Sequence, residues 1–362
     1  MAAHRRDTLA GRESFPGRAI MRAACFQESG QPLEVRDVPD PEPGAGEVLL
    51  AVKGCGICGS DLHVTELGGA VPAGAVMGHE FAGEIVAVGK DARGPDGPWK
   101  VGDRVCTMPG ISCGTCVRCV SGDVMGCANL RMTGFGDVGG GYAEYAIGAA
   151  PLTFRLPENV ASADGAAVEP LAVGLHAVEK VGLELGEDVL IVGAGPVGLA
   201  CAIWAKVLGA REVVVSDYAA HRRDLAVTYG ATAAIDPASE ELGPAFERIT
   251  GRAPSLAFEC VGRPDVVSAI SMIMARGGRI MSAGMCMAPD NFMPLVFGTK
   301  ELSMHFASYY THQNYQLTVD MLAAERIDPI PMITDRVALE ALPDAFEALR
   351  KPSTECKVIV EP

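Results

Sequence analysis

The 362-residue chain is poor in aromatics, at 6%, and poor in positive charge, with 30 Lys plus Arg against 45 Asp plus Glu and a net charge of -15. The first shortage leaves a hydrophobic share of 49% to Ala, Val, Leu, Ile and Met, a mix that suits α/β layers and not a disordered chain. The second speaks against nucleic acid as a partner, because so acidic a surface repels phosphate backbones. A membrane span is also missing: Gly, Pro or charge interrupts every apolar run before about 18 residues. Residues 1–20 carry Arg5, Arg6, Arg12 and Arg18 but no apolar core of the kind a secretory signal needs. They read as a disordered extension ahead of Met21. A cytoplasmic chain is expected, with its 12 cysteines reduced and not assembled into a disulfide framework.

At about 150 residues per domain, the length predicts two domains. From Met21, short apolar runs bounded by Gly and Pro (residues 23–26, 47–52 and 81–89) read as strands. Irregular, Gly-rich sequence follows from 101 to 148, so the first domain, residues 21–165, is expected to be mostly β. Strands then alternate with helices. Residues 188–192, 212–216, 256–260 and 279–283 read as strands, and 196–208 and 220–229 as helices. That alternation predicts a parallel sheet with right-handed crossovers over 166–302. Beyond Leu302 the alternation fades, and residues 303–362 are expected to return to the first domain.

The predicted strand at 188–192 runs into Gly193-Ala194-Gly195-Pro196-Val197-Gly198, a Gly-x-Gly-x-x-Gly turn, and Asp217 closes the next strand 19 residues after Gly198. Glycine turns are common, but strand, turn, apolar helix and acid in this order predict a dinucleotide site. Gly193 permits the tight turn, Gly195 admits a pyrophosphate, and Gly198 lets the helix pack closely. The helix N-terminus, opened by Pro196, offers free N–H groups from Val197 onward to the phosphates. Asp217 can accept the ribose hydroxyls and would repel a 2′-phosphate, which favours NAD over NADP. His221, Arg222 and Arg223 follow closely and could hold that phosphate; they also read as a solvated helix face with one Arg, Arg222, over the adenine.

Cys113, Cys116, Cys119 and Cys127 lie within fifteen residues, spaced Cys-x2-Cys-x2-Cys-x7-Cys. Four thiolates close a tetrahedral sphere, so this lobe predicts a structural zinc. An iron–sulfur cluster is the rival, weakened by the lack of a closing Cys-Pro. A second set is Cys58, His79 and a carboxylate, Glu80 or Glu169, which would leave a fourth metal position open for water or substrate.

The run Gly56-Ile57-Cys58-Gly59-Ser60-Asp61-Leu62-His63, then Gly78-His79-Glu80, Gly102-Asp103-Arg104-Val105, the cysteine lobe and the glycine turn occur in one order. Together they resemble the zinc-dependent medium-chain alcohol dehydrogenase family over nearly the whole chain. Glu169-Pro170-Leu171-Ala172-Val173 is similar to its polyol, sorbitol and 2,3-butanediol dehydrogenase branch; the ordinary alcohol dehydrogenases carry Cys where this chain has Glu169. The resemblance implies an α/β architecture, a GroES-like, mostly-β catalytic domain plus a doubly wound Rossmann domain. It also implies NAD and two zinc ions per chain, one catalytic at Cys58, His79 and a carboxylate, one structural at the four cysteines. Either Glu80 or Glu169 is the direct ligand, and the other holds the metal-bound water or acts from behind the ligand set.

The implied reaction converts a secondary alcohol, polyol or vicinal diol to a carbonyl, with zinc lowering the hydroxyl's pKa and hydride passing to the nicotinamide. Ser60 takes the proton and His63 passes it on. Asp61 is expected to orient its loop only. The partners implied are a small alcohol or carbonyl substrate and further copies of the chain, as a homodimer or homotetramer. Two other readings compete: a dehydrogenase of aldehyde adducts of the thiol–formaldehyde type, and a non-catalytic zinc-stabilised dinucleotide-binding scaffold. The remaining conspicuous residues read as packing: His176 and Trp204 on helices, Met272, Met274, Met281, Met285 and Met287 as core filling, and Cys201, Cys260 and Cys286 as small buried hydrophobes. Glu259-Cys260-Val261-Gly262 resembles the family's loop near the nicotinamide.

Overall fold

A computed structural model describes residues 20–351 and 353–362. The expected extension at 1–20 lies outside these, apart from Ile20, which opens the strand Ile20–Cys25. The chain divides into two compact units. Among the described residues, one holds those up to Glu169 with Thr311–Glu325 and those from Ile333 onward; the other holds Pro170–Tyr310 with Arg326–Met332.

The first unit is built on a seven-stranded sheet. Its centre is the antiparallel pair Glu47–Gly56 and Glu80–Val88, with Arg104–Thr107, Tyr145–Ala149 and Lys357–Glu361 alongside. Strand residues Val48, Leu50, Ile85, Val105, Val358 and Val360 are buried and form one core with Phe81, Tyr142 and Phe346. The long central pair slips register twice, between Leu49 and Leu50 and between Val52 and Gly54. Such bulges bend a strand and re-aim the side chains beyond it.

The second unit carries a six-stranded parallel sheet in the order Ala233–Ile235, Glu212–Ser216, Asp188–Val192, Leu256–Glu259, Arg279–Ser282, Ser303–Phe306. Sequence order reverses on either side of Asp188–Val192, as in a doubly wound dinucleotide fold. Val189, Leu190 and Ile191 are fully buried, each contributing about 1.5–3 kcal/mol by leaving water. Trp204, on the helix Pro196–Val207, is 1% exposed and donates its ring N–H to the Leu171 carbonyl at 2.8 Å.

Two expectations need correction. Alternation of strands and helices runs one strand further than expected, because Ser303-Met304-His305-Phe306, a four-residue run of alternating polar and apolar side chains, pairs with Arg279–Ser282. Of the methionines read as core, Met274 and Met281 are buried, but Met272, Met285 and Met287 are exposed at 58%, 47% and 47%. They lie on the outer side of a helix or in a loop past the sheet, where no layer covers them. Among the described residues no helix is long and apolar enough to cross a membrane.

Candidate active site and metal centres

Strand register assembles the first site. Gly56 pairs with Glu80 at the end of the central antiparallel pair. Cys58, two residues past one strand, thereby comes beside His79, one residue before the other. The ligand atoms of Cys58, His79 and Glu80 all lie within 4.8 Å of one another. Cys58 is also the N-cap of the helix Gly59–Glu66, which carries Ser60 and His63. Three residues apart, these two are neighbours on one helix face, and both are half-buried.

Asp61, fully buried, holds the ligand pair in place. Its Oδ1 lies 3.1 Å from His79 Nδ1, and its Oδ2 accepts the Cys58 N–H at 3.2 Å and the Tyr142 hydroxyl at 2.7 Å. An imidazole whose Nδ1–H is held by a carboxylate presents Nε2 to a metal. Burial works against charge on His79, but the charge and hydrogen bond of Asp61 outweigh it and hold its pKa well above the ordinary value. Asp61 thus favours an imidazole that carries positive charge, whether as a proton or as a metal. Phe135 covers the His79 ring with centroids 4.8 Å apart.

Glu80 has a second partner. Lys357 Nζ, with a side chain 1% exposed, donates to both carboxylate oxygens at 2.8 and 2.6 Å and to the Ile57 carbonyl at 3.0 Å. Burial pulls the Lys357 pKa down, yet the Glu80 charge outweighs it and keeps the ammonium protonated. The position of Gly56 is what admits this pair: a Cβ there would collide with the Glu80 carboxylate and come within 3.2 Å of Lys357 Cδ. Glu169 is buried in the first turn of the helix Val168–Val181, outside the three-residue group, and its charge reaches Lys357 and Tyr315. Of the two candidate carboxylates, Glu80 is therefore the one beside Cys58 and His79. Thiolate, imidazole and carboxylate at this spacing, with the histidine backed by an acid, fit a zinc with an open fourth position.

In the second cluster, Sγ–Sγ distances are 3.5 Å for Cys116–Cys119, 3.5 Å for Cys113–Cys127 and 3.9 Å for Cys113–Cys119. Zinc–sulfur bonds of about 2.3 Å place tetrahedral thiolates about 3.8 Å apart, so the lobe is shaped for one ion. Backbone N–H groups of Cys113 and Asn129 point at Cys127 Sγ, at 3.5 and 3.4 Å. Those of Thr115 and Cys116 lower the Cys113 pKa to about 5. The Cys116 pKa is lowered as well, while burial pushes that of Cys119 up to about 11, and no disulfide joins any of the twelve cysteines.

The dinucleotide turn lies in the second unit. Gly193 has a φ of +99°, and a Cβ there would press on Val261 Cγ2 at 2.9 Å and on the Cys260 carbonyl group at 3.0 Å. A Cβ at Gly198 would collide with the Gly193 carbonyl, whereas one at Gly195 meets nothing within 4 Å, so that side of the turn is open. Asp217 Oδ2 accepts the Ala194 N–H at 2.8 Å and Oδ1 the Ala219 N–H at 2.8 Å, tying the acid to the turn. Arg222 is half-buried on the helix Ala220–Thr228. Its neighbour Arg223 turns inward, to the Asp217 carbonyl at 2.7 Å and Asp236 at 3.1 Å.

Sequence reasoning missed Tyr142, Phe135 and Lys357, and gave Asp61 too small a part. Asp61 carried a usable signal, an acid three residues after a cysteine N-cap. Lys357, 277 residues from its carboxylate, carried none.

The comparisons with known proteins agree with this geometry. Residues 44–158 match the Alcohol dehydrogenase GroES-like domain family and residues 196–324 the Zinc-binding dehydrogenase family. Sorbitol dehydrogenase of Bacillus subtilis (strain 168) is 31% identical over 351 residues, covering 94% of this chain and 97% of the relative. Two solved structures superpose closely. A zinc-binding dehydrogenase from Sinorhizobium meliloti 1021 bound to NADP has a TM-score of 0.84 and 31% identity, covering 95% of this chain and 100% of its own. An alcohol dehydrogenase from E. coli CFT073 complexed with NADH has a TM-score of 0.85 and 29% identity, with the same 95% and 100% coverage. With both halves matched in order and both metal clusters formed, the chain belongs to the zinc-dependent medium-chain alcohol dehydrogenase family.

Proposed function

We propose that this enzyme reversibly oxidises a secondary alcohol, in particular a polyol or vicinal diol, with NAD as the hydride acceptor. The observation that carries this reading is the Cys58, His79 and Glu80 group, whose ligand atoms lie within 4.8 Å of one another; the sorbitol dehydrogenase relative supplies the polyol class. A zinc ion there would polarise the substrate hydroxyl and lower its pKa, and the nicotinamide would accept the hydride. Ser60 accepts the hydroxyl proton, and His63, three residues along the same helix face, passes it to solvent. Glu169 acts from behind the ligand set through its charge. Cys113, Cys116, Cys119 and Cys127 hold a second, structural zinc.

In the cofactor unit, Gly193, Gly195, Pro196, Val197 and Gly198 cradle the pyrophosphate, Asp217 accepts the ribose hydroxyls and Arg222 lies over the adenine. The carboxylate of Asp217 would repel a 2′-phosphate, which selects NAD. Twelve cysteines with no disulfide among them suit a reducing, cytoplasmic setting. The chain also works as a homo-oligomer, a reading supported by the open edge of the parallel sheet at Ser303–Phe306, where Phe306 is 63% exposed.

The test is the appearance of reduced nicotinamide absorbance with NAD and a panel of primary alcohols, secondary alcohols, polyols and vicinal diols, run beside Cys58→Ser. Turnover of a polyol or diol that disappears in the variant is expected. Activity that survives in Cys58→Ser would remove the catalytic-metal assignment, and activity confined to primary alcohols or thiol–aldehyde adducts would remove the substrate class.

A further inference from the structure

Glu259 ends the strand Leu256–Glu259 at the carboxyl edge of the parallel sheet, where doubly wound folds bind their ligands. Its side chain is 1% exposed, and its bonding partners are backbone N–H groups and a hydroxyl. Oε1 accepts the Val261 N–H at 2.6 Å and the Gly262 N–H at 2.7 Å. Oε2 faces the Ser282 hydroxyl at 3.4 Å, at the end of the neighbouring strand Arg279–Ser282. Successive backbone N–H groups turned to one point form an anion-binding nest. Here the anion is part of the chain itself.

The segment held by this nest forms the wall behind the cofactor turn. Cys260 and Val261 are the residues that a Cβ on Gly193 would strike, at 3.0 and 2.9 Å, and Cys260 Cβ lies 3.5 Å from a Cβ built on Gly198. On its other side, Gly262 (φ +71°) is packed so tightly that an added Cβ would meet the Met285 carbonyl oxygen at 2.6 Å, and one on Gly284 would meet Glu259 Oε2 at 2.8 Å. The Glu259 carbonyl also receives the N–H groups of Ala283 and Gly284, both at 2.9 Å. One residue therefore fastens the ends of two strands through its side chain and main chain, with the glycine turn of a third packed on the segment it holds.

We propose that Glu259 is a positioning residue for dinucleotide binding: its buried carboxylate fixes the Cys260–Gly262 segment against the Gly193 turn and so sets the shape of the cofactor cleft. The proposal rests on the cofactor reading above. Removing the acceptor takes from the Val261 and Gly262 N–H groups the buried carboxylate that holds them, so the segment relaxes and the wall is lost.

The experiment is calorimetric titration of NAD into the zinc-loaded protein, which needs no turnover, together with KM and kcat where a substrate is in hand. Glu259→Ala is expected to weaken NAD binding about tenfold and to raise its KM with kcat little changed. Glu259→Asp, shorter by one methylene, pulls the acceptor back and should lose several-fold. Glu259→Gln keeps an oxygen that both N–H groups can reach and should restore binding to within about twofold of the wild type. If Glu259→Ala does not fold by circular dichroism, the Asp and Gln pair carries the comparison. Wild-type affinity in the folded Ala or Asp variant, or a Gln variant as weak as Asp, would overturn the proposal. A wild-type protein that bound no dinucleotide would bring down the cofactor reading and this proposal together, whereas unchanged binding in the variants would overturn the proposal alone.

Discussion

At the scale of single residues, the first metal site is balanced by a buried charge. Glu80 and Lys357 are both 1% exposed, and each is the other's direct ionic partner. Removing one member of a buried pair strands the other at a cost of about 3–5 kcal/mol. A zinc ion beside Glu80 would supply replacement positive charge, so the loss should depend on metal. Lys357→Met is expected to lose about 3–5 kcal/mol of unfolding free energy in chelator-treated protein and clearly less with zinc bound. Denaturant titration of both forms checks this; equal losses would mean that Glu80 does not share its charge with the metal. Asp61 acts on the same site through hydrogen bonds to His79 and Cys58. Its replacement by Ala should lower zinc affinity at the Cys58, His79 and Glu80 group by about 10–100-fold, read by chelator competition, and leave any ion held by the cysteine lobe unaffected.

At the scale of elements, the central strand of the cofactor sheet is anchored at its start. Asp188, 2% exposed, binds Arg211 Nε at 2.7 Å and Arg252 Nε at 2.6 Å. Burial alone would raise the Asp188 pKa, but hydrogen bonds and charge from Arg211 and Arg252 lower it below the usual carboxylate value. A depressed folded-state pKa contributes stability above the ordinary pKa, and that contribution is lost as pH falls through the depressed value. Asp188→Asn should therefore cost about 1–3 kcal/mol near neutral pH. The gap to wild type should narrow once pH drops below about 4. Melting temperatures of both proteins across that range decide the matter, and a constant gap would argue against it.

At the scale of the whole molecule, each unit has its own metal or nucleotide chemistry, and charge bears on association. A net charge of -15 makes copies of the chain repel one another, and salt screens that repulsion. If the chain associates as proposed, the sheet edge at Ser303–Phe306, with Phe306 exposed, is the contact that proposal names. Phe306→Glu should shift the species seen by light scattering toward the single-chain mass, most strongly at low ionic strength. An unchanged mass would place the contact elsewhere.

The sequence by itself determined what depends on neighbours along the chain. Four cysteines within fifteen residues can wrap one ion whatever the rest of the protein does, and a strand, glycine turn, helix and acid make a nucleotide turn from local geometry alone. The order of the motifs was enough to give the family and both units of the fold. Only the tertiary structure decided what depends on distant segments meeting. The Gly56–Glu80 register brings Glu80 to Cys58 and His79 and leaves Glu169 outside that group. Lys357 reaches Glu80 from near the other end of the chain, and Asp61 gains its part because Tyr142 and His79 close around it. Those pairings are set by sheet register and by burial of charge, neither of which leaves a periodic trace in the residues concerned.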